Sequence, residues 1–248
     1  MDLLIRDKFI DSWKKYFNNA ELPFIFFYSK ELGNATLVKS RKNWNCMVGE
    51  LKKVRKGATL AFNEDALGCN GAKRYLGYKK EIRDDFKYFL SCGFPGKTEG
   101  ERYLQTPELV QEWEKQNKLI EGVSDQYIIF KRWDKLTETD EPAVVIFYAA
   151  PDVLAGLFTL ANYDQAEPNG TFSPFGSGCG SIVNFPYLEY FSERPRAVIG
   201  MFDPSARPYV PKNTLSFAVP MNKFEKMIIY MEESFLITKS WETIKKRI

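Results

Sequence analysis

Residues 143–148 read AVVIFY, and this unbroken apolar run, rich in β-branched and aromatic side chains, predicts a buried strand. An acidic turn, ETDEP at 138–142, precedes the run, and a helical pattern opens at Pro151 soon after it. Residues 22–28, LPFIFFY, show the same dense apolar pattern near the N-terminus. The sequence therefore predicts two strands that are buried on both faces.

Amphipathic helices and further strands surround these two runs. Ile5, Phe9, Trp13 and Phe17 recur every four residues and predict a first helix. The other predicted helices are 43–56, 84–90, 106–119, a helix or broken helix ending near 191, and 221–235, and the other strands are 58–62, 127–133, 197–202 and 214–219. This order lacks the strict alternation of a doubly wound sheet, so we predict an α+β fold, a mixed sheet with flanking helices.

The chain also shows a weak internal repeat. In each half, an apolar strand is followed by a cysteine that opens a helix, then by a second strand and an acidic turn; the cysteines are Cys46 and Cys179. Stacked repeats usually share one core. We therefore predict a single domain, residues 1–248, with pseudo-repeats at about 20–80 and 140–235 and a polar, helical middle segment.

Composition excludes several classes of function. The 248 residues include no histidine, which excludes Ser-His-Asp and Cys-His nucleophile systems and histidine-ligated metals. A net charge of +3 is too small to indicate a nucleic acid or an anionic membrane as partner. No apolar run approaches the roughly 18 residues of a membrane helix, and the mixed charges at the N-terminus are unlike a signal peptide. We therefore expect a cytoplasmic protein with free thiols.

Three of the four cysteines form the first candidate site. Unpaired N–H groups at a helix start make a thiol there easier to ionise. If the halves pair around a pseudo-twofold axis, Cys46 and Cys179 approach one another, and Cys69 joins them. Three thiolates without histidine suit a soft metal or an iron–sulfur cluster, although the chain has no Cys-x-x-Cys spacing. The alternative is that these cysteines are small buried hydrophobic residues.

A glycine-rich turn, FGSGCGS at 175–181, is the second candidate site. Small residues allow backbone N–H groups to approach an anion, and the helix that follows adds its dipole. A plain tight turn into a helix would use the same residues. Arg74 and Arg207, on loops after the paired strands, are candidate counter-charges. The predicted ligand-binding residues are Cys46, Cys69, Arg74, Gly176, Ser177, Gly178, Cys179, Gly180 and Arg207.

The chain resembles the DUF169 family in several segments: 22–28, the helix after Cys46, 65–78 (DALGCNGAKRYLGY), 178–179, and 203–207 (DPSAR) with the strand 215–220 (LSFAVP). The resemblance covers about residues 22–230. It implies a soluble prokaryotic protein with no established reaction, and cysteines where Cys46, Cys69 and Cys179 fall. The family often has another cysteine before the late arginine, where this chain reads MFDP at 201–204.

Three hypotheses about function follow. The first is a protein that binds a small cofactor, an iron–sulfur cluster or an anionic metabolite between its halves. The second is a non-catalytic sensor or interaction protein, which predicts an apolar patch or a homodimer interface. The third is a thiol-dependent transferase or redox enzyme, which requires a cysteine with a lowered pKa. The sequence alone leaves open whether the protein is an enzyme.

Overall fold

The computed structural model describes residues 1–39 and 46–248. In these ranges the α-helices are α1 (Leu3–Phe17), α2 (Met47–Arg55), α3 (Asn70–Tyr75), α4 (Phe86–Phe89), α5 (Pro107–Gln116), α6 (Pro151–Ala161), α7 (Phe185–Tyr190), α8 (Met221–Tyr230) and α9 (Lys239–Lys245). The strands are β1 (Phe24–Ser29), β2 (Thr36–Leu37), β3 (Leu60–Phe62), β4 (Tyr127–Arg132), β5 (Val144–Ala149), β6 (Thr171–Phe172), β7 (Ala197–Gly200) and β8 (Leu215–Pro220). A π-helix, Gly180–Asn184, runs directly into α7.

The strands form one mixed sheet in the order β2-β3-β4-β1-β5-β8-β7-β6. The two apolar strands that the sequence singles out, β1 and β5, are antiparallel neighbours at its centre. Pairing is antiparallel throughout except at the edges, where β2 is parallel to β3 and β6 is parallel to β7. The predicted α+β fold with a mixed sheet is confirmed.

The two halves of the sheet have the same strand order. Outward from the centre, β1-β4-β3-β2 corresponds to β5-β8-β7-β6. A helical connection joins the parallel pair in each half: α2 in the first, and the π-helix with α7 in the second. The central register is symmetric about Ile25 and Val145, since Phe24 pairs with Ile146 and Phe26 pairs with Val144. This equivalence supports the duplication and the single domain, both of which stay predictions.

Side chains of the central strands alternate between two apolar cores, because successive residues of a strand face opposite sides of the sheet. On one side, Ile25 and Val145 belong to a core built with α1, α6, α8 and α9. On the other side, Phe24, Phe26 and Ile146 belong to a core built with α2, α3 and the π-helix. Helices thus cover both faces, which explains why the central strands read as continuous apolar runs.

Several boundaries differ from those expected from the sequence. Residues 43–45 of the predicted second helix lie outside the described residues, and α2 begins at Met47. The helix predicted at 84–90 is shortened to the single turn of α4. Strands β2 and β6 and helix α3 were not predicted from the sequence. The two strands have only two residues each, which is too short to show an apolar period.

A helix that crosses a bilayer has to be both long and apolar. Within residues 1–39 and 46–248, none of the helices combines the length and the apolar character of a membrane span.

Candidate functional site

The three candidate cysteines each lie at the beginning of a helix on the same side of the sheet. Cys46 directly precedes α2, and Cys69 directly precedes α3. Cys179 lies in the helical turn that leads into the π-helix. The first N–H groups of a helix have no partner within the helix and carry partial positive charge. Each sulfur is therefore placed where a negative charge is favoured.

Burial dominates the protonation of two of these thiols. Cys179 is only 8% exposed, and burial raises its pKa. The Ser177 hydroxyl, whose Oγ lies 3.1 Å from Cys179 Sγ, opposes this rise. Burial also raises the pKa of Cys46, and the backbone N–H groups of Val48 and Gly49 lower it in part. Both side chains are therefore neutral thiols at pH 7.

The three thiols lie within electrostatic range of one another. After burial, which is the largest cause, Cys69 contributes to the raised pKa of Cys46. Cys69 and Cys46 likewise contribute to the raised pKa of Cys179. The fold thus brings sulfurs from both halves of the chain within electrostatic range of one another. The fourth cysteine, Cys92, is exposed and lies in the middle segment.

The spacing of these donors bears on which metal centre they suit. In residues 1–39 and 46–248, no three Cys, Asp or Glu side chains are placed to hold one metal ion. Thiolates bound to one tetrahedral ion at about 2.3 Å stand about 4 Å apart. The thiolates of an iron–sulfur cluster bind different iron atoms and stand further apart. Within the described residues, the three thiols therefore do not form a site for one tetrahedral ion.

Two N–H groups of the glycine-rich turn, those of Gly178 and Gly180, already have partners. Gly178 N–H donates to Asp203 Oδ2 at 2.9 Å. Gly180 N–H donates to Ser177 Oγ at 3.0 Å, which is the capping contact expected at a helix start. The carboxylate of Asp203 thus stands where the sequence analysis expects a bound anion. These contacts favour a structural role for the turn.

The same glycines allow close packing. A Cβ added at Gly178 would lie 2.6 Å from Ala206 Cβ and 3.0 Å from Met201 Sδ. A Cβ added at Gly180 would lie 3.0 Å from the ring of Tyr75. All three distances are shorter than ordinary van der Waals contacts. The small residues therefore let the start of this helix approach the loop after β7 and the end of α3.

The two candidate counter-charges are engaged elsewhere. Arg74 Nη1 donates to Glu114 Oε1 at 2.8 Å, which forms an ion pair with α5. Arg207 Nη1 donates to the carbonyl of Thr214 at 2.6 Å, and its Nη2 donates to that of Lys212 at 2.9 Å. Arg207 therefore fastens the loop between β7 and β8. Within the described residues, the hydrogen bonds of both guanidiniums thus go to groups other than the three thiols.

Two residues of this site were not assigned a role from the sequence. Asp203 contributes, after burial, to the raised pKa of both Cys46 and Cys179. Met201 is buried and has a left-handed backbone with φ 67°, a conformation that costs free energy for a residue other than glycine. The acidic turn after the strand at 197–202 was the available signal, but its hydrogen bond to Gly178 has no sequence signature.

Comparison with known proteins gives one match. The sequence model of the DUF169 family, described as uncharacterised ArCR, matches residues 15–229. The matched range contains all eight strands and the three cysteines of the site. No curated protein and no solved structure gives a significant match.

Proposed function

The chain belongs to the DUF169 family, and we propose that it binds an iron–sulfur cluster through Cys46, Cys69 and Cys179. One observation carries the proposal: sulfurs from both halves come within electrostatic range at the starts of three helices. The chain has no histidine. Donor sets made of thiolates alone are those of iron–sulfur clusters and soft metals.

Charge balance supports a cluster at this position. Binding iron requires each thiol to lose its proton, and burial makes that loss costly for Cys46 and Cys179 in the absence of metal. The metal replaces the proton, and the positive ends of the helices offset the remaining negative charge. The neutral thiols of Cys46 and Cys179 are therefore a suitable resting state for a site that takes up a cluster.

The raised pKa values argue against thiol catalysis. A nucleophilic cysteine has to be a thiolate near neutral pH, whereas burial holds Cys46 and Cys179 in the thiol form. A binding role uses the same three residues and does not require a thiolate near neutral pH in the absence of metal. The non-catalytic sensor of the second hypothesis is one such role. The expected cytoplasmic location agrees with it, since thiols stay reduced there.

The test is anaerobic purification followed by quantification of iron and acid-labile sulfide. We expect the wild-type protein, reconstituted with ferrous iron and sulfide, to show the broad visible absorption of thiolate–iron charge transfer. Cys46→Ser, Cys69→Ser and Cys179→Ser should each lose most of the iron and sulfide, because each removes one ligand.

Cys92→Ser is the matched control, because Cys92 is exposed and lies outside the group. It should retain the full iron and sulfide content. Circular dichroism of every variant shows whether the fold is intact. A reconstituted wild-type protein without iron, or a folded Cys46/Cys69/Cys179 triple serine variant with unchanged iron, would overturn the proposal.

A further inference from the structure

A separate cavity lies between α7 and the segment at 120–125. Its volume is about 320 Å³. Tyr28, Tyr187 and Phe191 line one side, and residues 120–125 line the other. The cavity is open to solvent on one side, and Phe191 is 69% exposed at its mouth. Cys46, Cys69 and Cys179 are not among its lining residues.

The aromatic side of the cavity consists of rings at steep angles to one another. The ring centroids of Tyr28 and Tyr187 are 5.2 Å apart, with an interplanar angle of 72°. Those of Tyr187 and Phe191 are also 5.2 Å apart, with an angle of 84°. Aromatic faces carry negative charge density, and rings set at steep angles to one another turn their faces in different directions. Such walls attract cations.

The opposite side carries negative charge. Asp125 and Glu121 both line the cavity, and no Lys or Arg of the described residues does so. Glu121 pairs with Lys80 at 3.1 Å on the exposed rim. Asp125 forms no ion pair within residues 1–39 and 46–248. It is close enough to Tyr28 and Tyr187 to contribute, after burial, to their raised pKa values. Among the described residues, the Asp125 carboxylate thus lines the cavity together with the aromatic wall and without a paired cation.

A helix end adds to this field. Residues 178–190 are continuously helical, and Tyr187 and Leu188 lie in the last turn before Phe191. The carbonyl groups at a helix C-terminus carry partial negative charge, which favours a cation nearby. Three independent features therefore act in the same direction: the ring faces, the Asp125 carboxylate and the helix end.

We propose that this cavity binds a small organic cation with a methylated ammonium group. Methyl groups make van der Waals contact with the ring faces, while the diffuse charge is attracted by the rings and by Asp125. A bare ammonium ion or a metal cation would lose more hydration in such a site than the rings return. This cavity does not involve Cys46, Cys69 or Cys179.

The test is calorimetric titration with choline and with tetramethylammonium, compared with 3,3-dimethylbutan-1-ol, the neutral isostere of choline. We expect both cations to bind and the isostere to bind at least tenfold more weakly. In proton NMR, the methyl resonance of bound choline should move upfield because of the ring currents. Acetylated trimethyllysine amide, titrated in parallel, distinguishes a methylated side chain from a free small molecule as the source of the cation.

Two variants separate the contributions of the cavity wall. Phe191→Leu keeps the bulk and removes the ring, and Asp125→Asn keeps the shape and removes the charge. Each should weaken choline binding about fivefold to tenfold. Phe175→Leu is the control, because Phe175 is also exposed and lies outside the cavity. Equal binding of choline and its isostere, unchanged binding in both folded cavity variants, or no binding at high millimolar choline would overturn the proposal.

Discussion

Asp203 shows how one carboxylate determines the chemistry of the glycine-rich turn. Its Oδ2 accepts from Gly178 N–H, and its Oδ1 accepts from the N–H and hydroxyl groups of Ser205. Asp203 therefore occupies the position at which a free anion would bind, and it ties the loop after β7 to the start of the helix that carries Cys179.

Gly178→Ala tests the close packing at this contact. The added methyl group would meet Ala206 Cβ at 2.6 Å. Overpacking of this kind costs roughly 1–3 kcal/mol, which exceeds the gain of about 0.5–1 kcal/mol that alanine brings to a helix. We expect the free energy of unfolding in urea to fall by about 1–2 kcal/mol.

Gly176→Ala is the matched control for this substitution. Its added Cβ would lie 3.2 Å from the ring of Phe185, and this ring has more freedom to shift. We expect a loss below about 1 kcal/mol. Equal losses in the two variants would contradict the packing argument.

Single residues also mark the limit of what the sequence predicts. The cysteines were recognisable because each opens a helix, and helix starts have local signatures. The roles of Arg74 and Arg207 were not, because Glu114 and the carbonyl of Thr214 come into contact with them only in the folded chain. A counter-charge is assigned correctly only when its partners are known.

At the scale of elements, the π-helix connects the two candidate sites. It follows Cys179 at one end and leads into α7, which lines the aromatic cavity, at the other. Asn184, its last residue, is fully buried. Asn184 Oδ1 accepts from Ile120 N–H at 2.9 Å, and its Nδ2 donates to the carbonyl of Lys118 at 3.0 Å. This side chain holds the start of the segment that forms the opposite wall of the cavity.

Asn184→Ala tests the importance of this contact. It leaves the buried N–H of Ile120 and the partly buried carbonyl of Lys118 without their side-chain partner. An unsatisfied buried polar group costs roughly 1–3 kcal/mol, so we expect the free energy of unfolding to fall by about 2–4 kcal/mol. Protection of the Ile120 amide against hydrogen exchange should fall as well.

Asn162→Ala removes a similar pair of hydrogen bonds, to Gly170 N–H and to the carbonyl of Phe158, in a less buried place. Water can replace these partners, so we expect a loss of about 1 kcal/mol or less. A loss at Asn184 no larger than that at Asn162 would show that burial does not control the cost.

Elements with a strong period were predicted well. α1, β1, β5 and α8 lie where their apolar patterns predict them. The missed elements lack such a period: β2 and β6 are parallel edge strands of two residues, held by β3 and β7. Their pairing arises from tertiary contact and not from intrinsic preference. The aromatic cavity was missed because Tyr28 and Tyr187 come from distant segments.

At the scale of the whole molecule, buried ionisable groups determine the response to high pH. Burial raises the pKa of Cys46 and Cys179 above 9.0, the value for an exposed thiol. Burial also raises the pKa of Tyr75 to about 12. Above pH 9 the unfolded chain loses thiol protons that the folded chain keeps, so it binds fewer protons and stability falls as pH rises.

We therefore expect the free energy of unfolding of the metal-free protein to decrease between pH 9 and pH 10. The decrease reaches at most about 1.4 kcal/mol per pH unit for each thiol. In the Cys46→Ser/Cys179→Ser double variant, this decrease should be largely absent until the tyrosines ionise. The measurement is urea unfolding at a series of pH values.

Cys92→Ser is again the control, and it should keep the wild-type slope because it leaves both Cys46 and Cys179 in place. An identical slope in the wild-type protein and the double variant would contradict the assignment of this pH dependence to the buried thiols.

Long-range pairing was the least predictable property of the molecule. The sequence predicts β1 and β5 as buried strands, but nothing local states that they are neighbours at the centre of one sheet. The symmetric register about Ile25 and Val145 is visible only in three dimensions. The repeated order of strand, cysteine and helix indicated that β1 and β5 are equivalent strands, because the segments of a repeat often occupy equivalent places.

The brevity of β2 and β6 has a consequence for how copies of this chain meet. Both outer margins of the sheet consist of two-residue strands. A strand from a neighbouring copy would find very few free peptide groups there, too few to continue the ladder. Within the described residues, both margins therefore offer little template for sheet growth from molecule to molecule, on which fibrils depend.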